Sequence, residues 1–173
     1  MANRFFENFP TVNYDGVKLR NIILKSKIIS DVLGKVQVMH PYVINDGERA
    51  DTIAFDYYGD SELYWLVYMS NSIVDPYYDW PMNQAEFQAY IIKKYGSIET
   101  AMTTVRYWSR PVTNYYMTPE TKNLLPPEDL MGWATPIYQY DYENELNENR
   151  RNIVLIDSAY APQIVSEIAK IYG

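Results

Sequence analysis

The pattern of apolar and polar positions is densest in residues 47–81, GERADTIAFDYYGDSELYWLVYMSNSIVDPYYDWP. Its period predicts a first helix over about residues 49–58, closed by Gly59, since glycine adopts left-handed backbone angles without a Cβ clash. Asp60 or Ser61 then caps a second helix, because either side-chain oxygen can accept unpaired N–H groups of the next turn. The second helix is apolar on nearly every side, which predicts that it is buried.

An extended return is predicted after the second helix. Residues 71–72 end that helix, and Ile73 and Val74 favour extended backbone. Prolines bracket the aromatic link that follows, residues 77–80, and keep it from continuing a helix. Because residues 36–44 also form an extended run, the predicted order is strand, helix, helix, strand.

The N-terminal residues 1–14 fit neither a helical nor a strand period. They would form an arm that lies on a neighbouring subunit, or a strap packed on its own domain, and both interpretations stay open. Residues 17–29 favour a strand through their β-branched content, with a helix as the alternative. The residues that would anchor an arm are Phe5, Phe6 and Phe9.

A packing helix is predicted from its cap, Asn83, to residue 95, where Gly96 closes it. Its inward face carries Phe87, Tyr90, Ile91 and Lys94 or Tyr95. Residues 98–102 add one more turn, and residues 105–108 predict a strand.

Prolines prevent any long regular element in residues 111–136. This segment holds Tyr115, Tyr116 and Trp133 and is too apolar to be a solvated linker. We predict an irregular excursion that becomes ordered against a partner, with a disordered insertion as the alternative.

Two strands are predicted near the C-terminus, one from the alternation in residues 137–142 and one from the apolar run of residues 153–156. The charged stretch between them predicts a hairpin with its tip at residues 147–149. Pro162 suits the first turn of a final helix, where its missing N–H is not needed. The apolar stripe of that helix, a docking surface or the domain's own last layer, consists of Ile164, Val165, Ile168 and Ile171.

These elements predict an α+β fold. A small strand-helix-helix-strand core is joined by an added helix, a C-terminal β-hairpin and helix, and extended partner-binding arms. The predicted segments are the N-terminal arm and strand (1–35), the core (36–81), a packing helix and strand (82–112), a proline-rich aromatic loop (113–136) and a C-terminal hairpin and helix (137–173).

Composition narrows the functional classes. The net charge of −7, without a basic cluster, argues against nucleic-acid binding. The absence of cysteine removes disulfides and thiolate chemistry and fits cytoplasmic production. No signal-peptide pattern or run of about 18 apolar residues occurs, so we predict neither standard secretion nor a membrane span. Aromatic residues, at 16%, suit either a surface covered by another protein or a tyrosine-rich core.

Candidates for catalysis or metal binding are few. His40, the only histidine, lacks partners at metal-ligand spacing, so we interpret it as structural. Asp75 and Asp79, with Asp60 as a further candidate, would suit the carboxylate pair of a cell-wall hydrolase, although capping of turns explains Asp75 and Asp79 better. With no nucleophile elbow and no glycine-rich phosphate loop, we predict no enzyme, no catalytic residue, no cofactor and no metal.

The core resembles the lysin motif, a carbohydrate-binding module of cell-wall enzymes and receptors. The matching residues are Asp51-Thr52-Ile53-Ala54, Tyr58-Gly59-Asp60, and Asn71 followed by Ile73. This resemblance implies a lysin-motif-like core. It also implies, as an alternative function, a peptidoglycan- or glycan-binding module.

A longer part of the chain resembles the baseplate wedge protein of contractile-tailed bacteriophages, the phage gene product 53 family. The matching stretches are residues 51–81, the helix beginning Met82-Asn83-Gln84, and residues 145–153 and 163–167. The resemblance implies a structural virion protein in the tail baseplate, made in the host cytoplasm. It further implies six copies, one per wedge, that link adjacent wedges and contact the hub and other wedge proteins.

Aromatic residues of the arms and loops are the candidates for binding these partners. They are Phe5, Phe6, Phe9, Tyr77, Tyr78, Trp80, Tyr115, Tyr116 and Trp133.

Overall fold

The structure is a computed structural model that describes residues 5–21, 39–110, 115–124 and 135–172. Its strands are β1 (Thr11–Tyr14), β2 (Val17–Arg20), β3 (Met39–Val43), β4 (Val105–Arg110), β5 (Tyr115–Met117), β6 (Thr135–Tyr138) and β7 (Asn152–Ile156). Its α-helices are α1 (Ala50–Tyr58), α2 (Tyr64–Ser70), α3 (Pro76–Asp79), α4 (Gln84–Tyr95), α5 (Ile98–Thr103), α6 (Pro119–Asn123), α7 (Gln139–Arg151) and α8 (Ala161–Tyr172). Short 3₁₀ helices cover Phe5–Asn8 and Ser61–Leu63. The predicted α+β class is confirmed.

The chain divides into two compact units. Unit 1 comprises Met1–Trp80 and Arg151–Gly173, and unit 2 comprises Pro81–Arg150. Unit 2 is therefore continuous in sequence, whereas unit 1 is completed by the C-terminal residues. The five predicted segments stay a prediction.

The core of unit 1 lies between a two-stranded sheet and its helices. Strand β3 pairs antiparallel with β7, from Met39 opposite Ile156 to Val43 opposite Asn152. Helices α1, α2 and α8 contribute to one buried cluster with this sheet. The largest fully buried side chains of this cluster are Ile44, Ile53, Leu66, Val67, Leu155 and Ile156. Helix α8 is thus a layer of unit 1 itself.

Both predicted helices of the central stretch are confirmed. Gly59 closes α1 with a φ of 78°, and its N–H donates to the carbonyl of Phe55. The side chain of Asp60 accepts a hydrogen bond from the N–H of Glu62 and so starts the next helical turn. Local capping chemistry accounts for both boundaries.

The predicted strand at Ile73 and Val74 is wrong. The chain instead forms the short helix α3, whose cap, Asp75, accepts a hydrogen bond from the N–H of Tyr77. Pro76 occupies the first turn of this helix, where a missing N–H is tolerated. The strand that pairs with β3 is β7, so the predicted strand order does not form within the described residues 39–81. The lysin-motif resemblance stays a prediction.

Unit 2 combines helices α4, α5, α6 and nearly all of α7 with a three-stranded sheet in the order β5-β4-β6. The predicted helix α4 is confirmed, including a capping box in which Asn83 and Glu86 each bond the other's backbone N–H. Phe87 and Ile91 from α4 pack with Ala101 from α5 in its core. Strand β4 confirms the strand predicted at residues 105–108.

The predicted C-terminal hairpin is also wrong. Residues 139–151 form helix α7, and strands β6 and β7 belong to different sheets. Tyr140, Glu143 and Asn147 lie at helical spacing, but the last two are polar although they are buried. A search for apolar residues at helical spacing therefore could not reveal the buried face of α7.

The N-terminal residues form a hairpin that the sequence analysis missed. Strands β1 and β2 pair antiparallel around Asp15 and Gly16, whose φ angles are 49° and 79°. Asp-Gly is a favoured turn for a two-residue hairpin because both central residues need positive φ. The strand predicted over residues 17–29 is described only as far as residue 21.

Candidate functional site

In the described part of unit 1, residues 74–79 carry strongly exposed apolar side chains. We call residues 74–79 the aromatic loop, which is separate from the proline-rich segment 113–136. Val74 is 89% exposed, Tyr77 85% and Tyr78 67%. The two tyrosine rings contact each other edge to face, with their centroids 4.9 Å apart. Two of the predicted partner-binding residues therefore lie together on the surface.

Two carboxylates fix the backbone of the aromatic loop. Asp79 Oδ2 accepts hydrogen bonds from the N–H groups of Val74 (3.2 Å) and Asp75 (3.1 Å). Asp75 Oδ1 accepts one from the N–H of Tyr77 at 3.0 Å. Both acidic side chains act as turn caps, the interpretation preferred over a hydrolase pair, and they hold the backbone that carries the two tyrosines.

Trp80 anchors the end of this loop. Its ring is half-buried, and its Nε1 donates a hydrogen bond to the carbonyl of Glu48 at 3.0 Å. The ring also contacts Tyr68 edge to face, with the centroids 5.6 Å apart. Trp80 is consequently better placed to hold the loop than to meet a partner.

A cleft of about 310 Å³ lies beside the aromatic loop. Tyr64 and Tyr68 form part of its wall, with ring centroids 5.9 Å apart. Arg49 and Asp51 form an ion pair at 3.0 Å, and the hydrogen bond from Arg49 lowers the pKa of Asp51. The remaining lining residues are Ala50, Pro76 and Trp80. Aromatic walls with a nearby charged pair suit a flat ligand that carries hydroxyl groups.

The N-terminal phenylalanines have different surroundings. Phe9 is only 2% exposed, as a strap packed on its own domain requires, whereas Phe6 is half-exposed. Their ring centroids are 5.5 Å apart. Phe5 begins the first 3₁₀ helix, and its side chain lies outside the described residues.

Tyrosines also form a row in unit 2. The ring of Tyr107 contacts those of Tyr116 (5.0 Å) and Tyr142 (5.9 Å), and the guanidinium of Arg106 lies over Tyr142. Tyr116, a predicted partner-binding residue, is 59% exposed and lines an open cleft of about 960 Å³. Tyr115 is described only as the first residue of β5, and Trp133 lies outside the described residues.

A buried carboxylate in unit 2 escaped the sequence analysis. Glu143 is 7% exposed and accepts hydrogen bonds from Lys94 Nζ (2.7 Å), Tyr95 OH (2.7 Å) and Tyr90 OH (2.9 Å). Burial by itself raises the pKa of Glu143, but these three donors and the charge of Lys94 outweigh it, so the pKa lies below its ordinary value. The donors lie on α4 at helical spacing, yet their acceptor is far away in sequence. Its saturated hydrogen bonding indicates a structural role.

The described residues offer little for metal or membrane chemistry. His40 Nε2 lies 3.3 Å from Asp157 Oδ2, and no group of three or more potential metal ligands occurs in the described part of the chain. No helix among the described residues has the length and apolar character needed to cross a membrane.

Comparison with known proteins adds two findings. The family described as base plate wedge protein 53 matches residues 5–118. The baseplate wedge protein gp53 of Enterobacteria phage T4 is 38% identical over 61 residues. That alignment covers 35% of this chain and 31% of the relative, so it spans about a third of the relative's length.

Proposed function

Because the chain belongs to the base plate wedge protein 53 family, we propose that it is a structural component of a contractile phage tail baseplate. In this role it is a wedge subunit, present in six copies, that links adjacent wedges to one another and to the hub. It is made in the host cytoplasm and assembles into the virion without catalysing a reaction.

The observation that carries this proposal is the aromatic loop. Large exposed aromatic side chains are enriched at protein interfaces because they bury much area with few rotatable bonds. The backbone of Tyr77 and Tyr78 is held by a capped turn, so little backbone entropy remains to be lost when a partner binds. Such a loop suits contact with a neighbouring wedge or hub protein.

Assembly with purified wedge and hub proteins tests the proposal. The double variant Tyr77→Ala and Tyr78→Ala should lower incorporation of this chain into wedge complexes at least about tenfold, since two interface hot spots are removed. Tyr160→Ala is the matched control because Tyr160 is another partly exposed tyrosine of unit 1. Incorporation equal to that of the control would contradict the role of the loop.

The aromatic cleft beside the loop supports a second candidate function, peptidoglycan or glycan binding. Soluble peptidoglycan fragments should shift backbone amide signals of residues 49–80, and Tyr64→Ala should abolish the shifts. Phe55→Ala, which changes an exposed ring outside the cleft lining, is the control. Unchanged spectra at millimolar fragment would remove this candidate.

A further inference from the structure

Strand β5 ends beside the open cleft of unit 2. Its last residue, Met117, stands opposite Trp108 of β4, and Thr118 then caps helix α6. The start of β4 therefore extends past the end of β5. The cleft has a volume of about 960 Å³, and its lining includes residues 104–107 and 116–120. It occupies the place along β4 where β5 has turned away, and we call it the strand cleft.

The backbone N–H and C=O of Val105 face the side of β4 on which β5 lies. The carbonyl of Thr104 accepts a hydrogen bond from the N–H of Gln139 at 3.0 Å, so Thr104 faces β6. Neighbouring residues of an antiparallel strand present their backbone groups to opposite sides. Val105, which stands opposite Tyr138, therefore turns both groups away from β6. In the described part of the chain, neither group has a hydrogen-bond partner.

Two other sheet edges carry proline at the comparable position. By the same alternation, Pro136 of β6 and Pro41 of β3 present their backbone groups away from the strand with which each is paired. Because proline has no N–H, an added strand cannot form a full ladder at either edge. Val105 keeps its N–H at such a position and borders the strand cleft. Of these three positions, only Val105 can both donate to and accept from another backbone.

We propose that an extended segment of another baseplate protein enters the strand cleft and pairs with Val105 in line with β5, which rests on the proposed role of this chain as an assembly subunit. Strand addition of this kind gains affinity from main-chain hydrogen bonds and specificity from contacts with alternate side chains. Water serves the N–H and C=O of Val105 in the free chain, since buried backbone groups need a partner. The incoming segment replaces that water.

The lining of the strand cleft favours apolar or aromatic side chains on that segment. Tyr107, Tyr116 and Pro119 offer ring surfaces to it. Arg106 and Glu120 contribute one charge of each sign, so the cleft selects neither an acidic nor a basic segment. Tyr116, one of the aromatic candidates for partner binding, thus gains a defined surface in unit 2 that is separate from the aromatic loop.

Synthetic peptides test this contact. Overlapping short peptides that cover the wedge and hub proteins of the same phage, and this chain itself, are titrated against the full-length chain by fluorescence anisotropy. At least one peptide from another baseplate protein should bind, and Val105→Pro should weaken its binding about tenfold because the N–H is lost. Thr104 already has the extended backbone (φ −85°, ψ 118°) that a following proline favours, so the variant should fold. Val105→Ala keeps the N–H and is the control.

Hydrogen exchange in the unmodified chain gives a measurement that does not depend on the proline variant. The Val105 amide should exchange at least about tenfold more slowly when the peptide is bound. The amide of Tyr138, which faces the opposite way, should keep its rate. No binding peptide, an unchanged Val105 amide, or equal weakening by Val105→Ala would overturn the proposal. Binding of peptides from this chain alone would overturn the choice of partner in favour of a second copy.

The double variant of the aromatic loop separates this inference from the proposed function. Tyr77→Ala with Tyr78→Ala should leave peptide binding unchanged, because both tyrosines belong to unit 1. If no peptide binds while the double variant still lowers incorporation into wedge complexes, only the strand-cleft contact is wrong. If a peptide binds as expected while the double variant assembles normally, the role of the aromatic loop is wrong and the strand cleft stands.

Discussion

At the residue scale, Asn71 pairs with strand β7 as another strand would. Its Nδ2 donates to the carbonyl of Val154 at 2.8 Å, and its Oδ1 accepts from the N–H of the same residue at 2.8 Å. Nδ2 also bonds the carbonyl of Val67. Where the sequence predicted an extended return, the side-chain amide of Asn71 pairs instead with the backbone of Val154 in β7.

Asn71→Asp should therefore destabilise unit 1 by about 1–3 kcal/mol, because the isosteric carboxylate cannot donate to the two carbonyls. Urea denaturation followed by circular dichroism measures this change. Asn149→Asp adds the same charge at an exposed position of α7 and should shift the midpoint little. Equal shifts for both variants would show that the amide of Asn71 contributes nothing.

Glu143 makes the stability of unit 2 depend on pH. Its pKa lies below the ordinary value in the folded state, so the stabilisation is present above about pH 4.3, the unfolded pKa, and is lost as pH falls through the folded pKa. Glu143→Gln should flatten the fall in unfolding free energy below about pH 4.3. Glu145→Gln, on an exposed residue of α7, should leave the slope unchanged.

At the element scale, two helices end next to a residue with left-handed backbone angles, but the residue type differs between the two ends. Gly59 closes α1 with a φ of 78°, whereas Ser72 lies beyond α2 with a φ of 56°. The N–H of Ile73 donates to the carbonyl of Tyr68 at 2.9 Å, which fixes the second end. A serine side chain is strained there, and glycine is not.

Ser72→Gly should raise the unfolding free energy by about 0.5–1 kcal/mol, and Gly59→Ala should lower it by about 1 kcal/mol. Apart from the adjacent residues of the chain, no atom lies within 4 Å of the site of a new Cβ at Gly59, so the cost is one of backbone conformation. Thermal melting of both variants checks the opposite signs. A stabilising Gly59→Ala would contradict this account of the two ends.

Helices whose ends are set by capping residues nearby in the sequence were predictable, whereas helix α7, which depends on distant contacts, was not. Gly59, Asp60 and Asn83 set helix boundaries through groups a few residues away, and each was found in the sequence. Helix α7 was missed because its buried face contains Glu143 and Asn147, whose partners lie on distant segments. Polar residues buried by long-range hydrogen bonds look like surface residues in a sequence.

The candidate site shows the same division. Tyr77 and Tyr78 were recognised as partner-binding candidates from composition and position, and their strong exposure agrees with that prediction without testing it. Phe9 and Trp80 were chosen on the same grounds, yet both pack within unit 1. Aromatic residue type alone does not distinguish an anchor in the core from an anchor for a partner.

At the scale of the whole molecule, unit 2 is an insertion whose two ends are tied together. Asn147 Nδ2 donates to the carbonyl of Met82 (3.0 Å), and Asn147 Oδ1 accepts from its N–H (2.8 Å). Unit 1 fixes its two ends at the junctions by separate hydrogen bonds. Trp80 Nε1 donates to the carbonyl of Glu48, and the N–H of Ile44 donates to the carbonyl of Arg151. In each unit, hydrogen bonds within that unit thus fix the residues next to the junctions.

A fragment of residues 81–150 should consequently fold alone. We expect a helical circular dichroism spectrum and a cooperative melt, and Asn147→Ala should lower the melting temperature of the fragment because it breaks both bonds to Met82. Asn149→Ala is the control. A fragment without cooperative melting would show that unit 2 depends on unit 1.

The pairing of β3 with β7 also determines the order in which the two units can fold during synthesis. A ribosome releases β3 before unit 2 and β7 after it. Unit 2 can therefore reach its native state during synthesis, while the β3–β7 sheet of unit 1 forms only after β7 has been synthesised. A prematurely terminated chain that lacks β7 leaves β3 without its partner strand, so unit 1 stays incomplete and its exposed strand edge is open to pairing with other chains.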